Sequence, residues 1–254
     1  PLALCYPTIE DAREYVQEEL GPFLREHDTL ATHLLGEEGK DSFKKSVVQL
    51  DHMRLRVVWA TSARRLARWT ARFLAGDEID KWPPFVGRDA DPISLFRRRN
   101  QTYGDRGKLY LTSTPTTPLG AIAREFASCN DRRYFHVPCP HCGEEQRLCW
   151  AQVKWPKIEG LDREQLADRV ALDGLAWYEC ISCHGRIEER QRAGMVAAGR
   201  WQSEGYEGDE RPKSERVGYH ISARYSTLGI TLHRIVATFL RALAAKARGL
   251  FDPF

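Results

Sequence analysis

Two C-x-x-C units constrain this chain more than anything else in it: Cys139-Pro-His-Cys142 and Cys180-Ile-Ser-Cys183, with 37 residues (143 to 179) between them. Thiolates two residues apart in a tight turn can converge on one ion, and four of them suit tetrahedral zinc. With four cysteine ligands no coordination position is left for water, so such a site is structural. The spacer exceeds the roughly 15–20 residues usual for this pattern. Doubling a loop costs only about 0.6 kcal/mol of closure entropy, so the excess length is no obstacle. Gly143 and Gly185 follow the two units, where tight turns are expected. His141 and His184 lie within or beside them and could substitute as ligands. The alternative is two unrelated buried pairs. Seven cysteines is an odd number, and in a reducing compartment metal is favoured over disulfides. Cys5, Cys129 and Cys149 read as small buried fillers.

The chain as a whole is globular in composition, with 42% hydrophobic and 29% charged residues. At 254 residues it can bury one large core or two modest ones. A net charge of +3 neither requires nor excludes a nucleic-acid partner. No apolar run reaches the roughly 18 residues of a membrane span, and no secretory leader is present, so a cytoplasmic location is the expectation. Residue 1 is Pro rather than Met, as at a fragment boundary.

Residues 1 to 130 alternate strand-like and helix-like pieces, which predicts an α/β unit with a mostly parallel sheet and helices on its faces. Strands are expected at 1–8, 54–60, 73–77 and 108–114. Helices are expected over 9–24, over 62–72 with Leu66, Trp69 and Phe73 on one face, over 91–103 from an Asp-Pro start, and over 117–128 from a Thr-Pro start. Residues 131–205 form the cysteine segment, with short strands. Residues 206–254 read as a linker and helix; the stretch 204–216 is a polar loop. From Thr231, the positions Leu232, Ile235, Val236, Phe239, Leu240 and Leu243 make one apolar stripe.

Within the first unit, Gly76-Asp77-Glu78-Ile79-Asp80 ends a strand. An acid there can hold a water-coordinated magnesium ion, and the next can orient a water for attack on a terminal phosphate. Read alone, the pair could equally be a helix cap or a solvated turn. Leu111-Thr112-Ser113-Thr114-Pro115-Thr116 also ends a strand, where hydroxyls can sense a phosphate; alone it reads as a Pro-rich turn. The pattern G-x-x-x-x-G-K-[ST] is missing. At Gly39-Lys40 it would need Gly at 34 and Ser or Thr at 41, where the chain has Leu34 and Asp41, so this stretch reads as an exposed loop. Arg64, Arg65, Arg68 and Arg72, and separately Arg97, Arg98 and Arg99, are basic clusters that suit either a nucleic-acid backbone or a solvated face. His220 and His233 read as ordinary core or surface residues.

Taken in order, LAGDEIDKWP, LYLTSTPTTPLGAIAREF, DRRYFHVPCPHCGEEQRLCW, the second C-x-x-C with its following GRW, and GYHISARYS resemble the large subunit of lambda-like phage terminases, the GpA family. The resemblance runs from about residue 45 to 248. It implies a P-loop NTPase-type (ASCE) sheet, a small zinc-ribbon-like β segment and a C-terminal helix, in a motor that couples ATP hydrolysis to double-stranded DNA translocation. Asp77 would be the Walker B magnesium ligand, Glu78 the catalytic glutamate, and Thr112, Ser113 and Thr114 the coupling motif. Cys139, Cys142, Cys180 and Cys183 would form the zinc-binding segment. The implied cofactors are Zn2+, Mg2+ and ATP. The implied partners are double-stranded DNA, the small terminase subunit and the portal of the procapsid, in an oligomeric motor in the bacterial cytoplasm, with no membrane.

By the same resemblance, the P-loop would lie upstream of residue 1 and the concatemer-cutting nuclease beyond residue 254, as in a truncated gene or a remnant prophage. The sheet is then expected to lack its central P-loop strand, leaving edges on both sides of a gap. The chain alone is expected to hydrolyse ATP poorly. Two rivals remain: a non-catalytic, zinc-stabilised DNA-binding or assembly module, and a zinc-bearing helicase-type translocase.

Overall fold

The computed structural model describes residues 1–35, 47–87, 90–204 and 216–250. The Gly39-Lys40 stretch and nearly all of the polar loop at 204–216 lie outside the described residues. The chain divides into two compact units, Pro1–Glu125 and Phe126–Phe254.

The first unit is built on a five-stranded sheet, ordered β2-β3-β1-β4-β5. Its strands are β1 (Leu2–Tyr6), β2 (Val47–Gln49), β3 (Arg54–Trp59), β4 (Phe73–Gly76) and β5 (Lys108–Leu111). β1 pairs in parallel with β3 and with β4, and β4 pairs in parallel with β5; only β2 runs antiparallel. The expected gap is therefore absent. Leu2–Cys5 hydrogen-bond across to Phe73–Gly76, so these strands form one uninterrupted sheet, and among the described strands the unpaired edges are the outer ones, on β2 and β5.

Both faces of this sheet are covered, which explains the near-continuous apolar runs of its inner strands. On one face Ala3, Cys5, Val58 and Leu74 pack with Leu66 of α4 (Ala63–Ala67) and Phe96 of α5 (Pro92–Arg97). On the other, Leu55 and Val57 pack with Ala12, Leu20 and Leu24. These last come from a helical run of α1 (Ile9–Glu14), a π-helical stretch Tyr15–Leu20 and α2 (Gly21–Glu26), continued after His27 by α3 (Asp28–Ala31). Thr8 caps α1 through a reciprocal box with Asp11, as the acidic first turn suggests.

Three helices depart from the sequence expectation; the one expected over 91–103 is α-helical only as α5 and continues from Arg98 as a 3-10 run. The one expected over 62–72 is only α4, because Arg68 leaves helical geometry. The released carbonyls find other donors: the Trp69 indole on Arg65, and Arg99 Nη1 on Ala67 at 2.7 Å. Phe73 then starts β4 and is 41% exposed rather than lining a helix face. The helix expected from Thr117-Pro118 begins later, as α6 (Ala121–Ala127).

The second unit holds β6 (Asp131–Pro138) between β11 (Arg200–Ser203) and β12 (Val217–His220), with β7 (Glu145–Gln146) on its far end. A second small sheet runs β10 (Arg186–Ile187), β9 (Trp177–Glu179), β8 (Val153–Lys154). Helices α7 (Arg163–Asp173), α8 (Glu189–Ala197) and α9 (Leu232–Ala247) complete it. Thr231 caps α9, and Leu232, Val236, Ala237 and Leu240 are buried in the unit's core with Val170 of α7 and Tyr178 of β9. The helix at the C-terminal end thus shares a core with the cysteine segment. Cys5 is buried, but Cys129 and Cys149 are only partly so.

Candidate functional site

The parallel sheet brings the two hydroxyl- and acid-bearing strand ends together. Asp77 follows β4 directly, and its amide donates to the Cys5 carbonyl at 2.9 Å. Thr112 follows β5, and its amide donates to Gly76 at 2.9 Å. The chain beyond Asp77 then turns onto the neighbouring segment. The Ile79 amide donates to the Thr112 carbonyl at 3.2 Å, and the Asp80 amide to Ser113 Oγ at 3.1 Å. Asp77, Glu78, Thr112, Ser113 and Thr114 therefore occupy adjacent strand ends at one edge of the sheet, the carboxyl edge where α/β proteins present their ligands.

Glu78 has left-handed backbone geometry, φ 49° and ψ 46°. For a non-glycine residue this is a strained conformation, of the kind that concentrates at functional sites. The Asp77 carboxylate accepts the Glu78 amide at 3.0 Å, and Lys81 Nζ lies 3.3 Å from Glu78 Oε2. Trp82 steadies the turn from below: its indole N–H donates to the Asp77 carbonyl at 2.8 Å, and its ring lies against Gly76 and Phe96. A Cβ at position 76 would stand 3.0 Å from that ring, which explains the glycine before the acids. Tyr6, at the end of β1, has its pKa pushed up by burial, with the Tyr15 and Asp77 charges adding to the effect.

Asp80 is the residue the sequence reading passed over. Its carboxylate accepts the Ile122 amide at 2.6 Å, the Thr116 amide at 2.7 Å and the Thr116 hydroxyl at 2.9 Å. It supplies the start of α6 from 42 residues away, so no Thr-Pro cap is needed. Gly120 makes room for it; a Cβ there would stand 2.2 Å from Asp80 Oδ2. Burial alone would raise the Asp80 pKa, but the Thr116 and Ile122 amides, the Thr116 hydroxyl and the Arg124 charge outweigh it and hold the pKa below the ordinary value. The third acid of GDEID was the available signal. Nothing local in the sequence shows that it reaches Thr116 and Ile122.

The four cysteines of the second unit also come together. Their sulfurs all lie within 4.8 Å of one another. Each C-x-x-C occupies the turn of a short hairpin, the first between β6 and β7, the second between β9 and β10. The two turns match bond for bond. Gly143 donates to the Cys139 carbonyl at 2.9 Å, and His184 to that of Cys180 at 3.2 Å. Cys139 donates to Glu144 at 2.9 Å, and Cys180 to Gly185 at 3.0 Å. The amides of His141 and Ser182 point at the sulfurs of Cys139 and Cys180, each at 3.4 Å. The left-handed positions are Gly143 and His184, so the second turn uses a histidine where Gly185 was expected to serve.

Such amide-to-sulfur bonds favour thiolates. At Cys180 burial opposes ionisation, yet the Cys183 and Ser182 amides bring its pKa down to about 6. The buried Gln146 adds a side-chain donor to the same sulfur at 3.4 Å. This donor set fits a thiophilic metal ion. His141 is not part of it: its Nε2 engages the Arg186 carbonyl at 2.8 Å. His184 lies toward Glu179 instead, 3.9 Å away. The 37-residue spacer is explained by its content, since it carries β8 and α7, which fold into the unit's core.

The basic clusters are partly committed to structure. Arg65 stacks on Trp59, Arg72 on Phe73, and Arg97 pairs with Glu125 at 2.6 Å. His233 accepts the Ala176 amide at 3.3 Å, and His220 lies beside Tyr134 and Phe126.

A profile of the phage terminase large subunit gpA ATPase domain matches residues 1–201. The chain belongs to this family. The gpA ATPase-domain family thus spans the sheet with its acidic edge and continues through both C-x-x-C turns. Among curated proteins, a "Terminase, large subunit" of Enterobacteria phage P21 is 25% identical over 181 residues. That match covers 66% of this chain and 26% of the relative, so the chain spans about a quarter of that protein's length. No solved structure matches. No helix among the described residues is long and apolar enough to cross a membrane.

Proposed function

We propose that this chain provides the Walker B edge and coupling segment of a terminase motor ATPase, and that it works in packaging double-stranded DNA. The observation that carries this reading is the pairing of strand ends: Asp77–Glu78 lies beside Thr112–Thr114, joined through Ile79 and Asp80. Magnesium-bound ATP would supply the phosphate to be attacked and the charge that Asp77 faces. In this reading Asp77 would hold the magnesium shell and Glu78 would orient the attacking water, with Lys81, 3.3 Å away, helping to position its carboxylate. Loss of the terminal phosphate changes what the Thr112–Thr114 hydroxyls can bond. Ser113 passes that change to Asp80, and Asp80 to the start of α6. This is a direct mechanical link from hydrolysis to a helix.

In the same proposal the cysteine quartet holds zinc, because four thiolates suit a tetrahedral zinc ion. The zinc is structural: it fixes the two hairpin turns and takes no part in hydrolysis. Concatemer cleavage, the small subunit and the portal belong to the proposed role of the whole terminase.

The test is magnesium-dependent ATP hydrolysis, with duplex DNA, by a terminase subunit carrying this segment. Glu78→Gln should lower turnover by about 100-fold or more while zinc content and folding are kept. Equal turnover in the two proteins would remove Glu78 from the chemistry. Unwinding of a duplex during turnover would move the assignment toward a helicase-type translocase.

A further inference from the structure

In the first unit, away from the acidic edge, His33, Asp51 and His52 form a second cluster of metal-binding side chains. His33 lies in the turn after α3, and Asp51-His52 in the turn between β2 and β3. The two turns are held together by backbone bonds: Asp51 N–H to the His33 carbonyl at 2.9 Å, and a bridge between Leu34 and Leu50. Leu50 and Val48 anchor the hairpin in the core. On this frame the Asp51 carboxylate lies between two imidazoles. Its Oδ2 is 2.8 Å from His33 Nδ1, and its Oδ1 meets His52 Nδ1. The imidazoles stand edge to face, with centroids 5.0 Å apart, and the three donor atoms all lie within 4.8 Å of one another.

We propose that His33, Asp51 and His52 bind a divalent transition-metal ion of the zinc, copper or nickel class, which clips the turn after α3 to the β2–β3 turn. Two nitrogens and one carboxylate oxygen make a set that prefers such ions over magnesium or calcium, which take oxygen ligands. Zinc bonds of about 2.0–2.2 Å at tetrahedral angles place neighbouring donors about 3.3 Å apart. The 2.8 Å contact to His33 needs to open by about half an ångström and the shorter one to His52 by more, adjustments that exposed side chains can make. The three side chains are 40%, 45% and 60% exposed, so an ion can enter and water can complete its shell. Binding requires a free lone pair on each Nδ1. In a neutral ring the proton moves to Nε2, and in an imidazolium it leaves to solvent. The metal thereby replaces the protons that now hold the cluster together. Because the ligands stand 18 residues apart, the ion closes the intervening segment, as a staple does.

The test is zinc content per chain after dialysis of the full protein against a zinc buffer. The wild-type chain is expected to hold one more ion than the double variant His33→Ala/His52→Ala, whatever the cysteine quartet contributes to both. Asp51→Asn, a nearly isosteric change at an exposed side chain, should also lose that ion. Cobalt separates the sites by colour. The ion lost in the variants should carry no thiolate-to-cobalt absorption, and that absorption should be equal in all three proteins. Equal zinc content in wild type and variants would overturn the proposal, as would loss of a thiolate-coordinated ion.

Discussion

At Glu78 a single residue combines strain and proposed chemistry. A left-handed glutamate costs on the order of 1 kcal/mol or more relative to glycine, and the turn over Asp77 and Trp82 holds it there. Glycine would suit the backbone better but could not present a carboxylate. Two substitutions separate these effects. Glu78→Gln and Glu78→Gly both remove the charge and the Lys81 pair, and only glycine relieves the backbone. Glu78→Gly should therefore be more stable than Glu78→Gln by about 1 kcal/mol in chemical denaturation, while both lose hydrolysis. If glycine proves no more stable than glutamine, position 78 is not strained. The adjacent acids Asp77 and Glu78 were readable as the end of a strand. The sign of φ at Glu78 was not, because it depends on Ile79 and Asp80 bonding to a strand more than 30 residues away.

Among the elements, α6 shows how far a local signal can mislead. Thr117-Pro118 has the form of a helix start, yet the helix begins at Ala121 because the Asp80 carboxylate caps it from outside. Removing that carboxylate leaves the Ile122 and Thr116 amides without their acceptor. Asp80→Ala should cost about 1–3 kcal/mol and fray α6, seen as faster amide exchange at Ile122. The pH dependence has a definite sign. Asp80 has a depressed pKa in the folded chain, so its contribution is complete above the unfolded carboxylate value of about 3.9 and is lost as pH falls below it through the folded value. Acid titration should expose the Ile122 amide in wild type and change little in Asp80→Ala. The longer α9 needed no such help. Its Thr231 cap and apolar stripe were both legible, since cap and face lie within one stretch of chain.

Across the whole chain, each unit has its own core, and the cysteine quartet belongs to that of the second unit. The quartet closes two hairpins that otherwise consist of strands of two or three residues apart from β6. Such short pairs cannot hold their turns by backbone bonds alone. Structural zinc contributes roughly 10–16 kcal/mol in small peptides, comparable with the stability of a whole domain. Chelation should therefore abolish the thermal transition of the second unit and leave protease resistance of the sheet in the first unit intact. Calorimetry with proteolytic mapping would show this; an unchanged second-unit transition after complete metal removal would make the quartet a set of unmetallated thiols.

Features that depend on near neighbours were legible in the chain: the alternation of strands and helices in the first unit, the two C-x-x-C turns, and the acids and hydroxyls that close β4 and β5. Folding settled the rest: which strands are adjacent, that β1 lies directly against β4 with no gap, that α4 stops at Ala67, and that Asp80, Trp82 and Gly120 frame the acidic edge. It also joined His33 to the Asp51-His52 turn. The physical reason is common to all of these. Periodicity and caps are written within a turn or two of chain, whereas pairing, long-range capping and ligand convergence arise where distant segments meet, and one sequence does not print those distances.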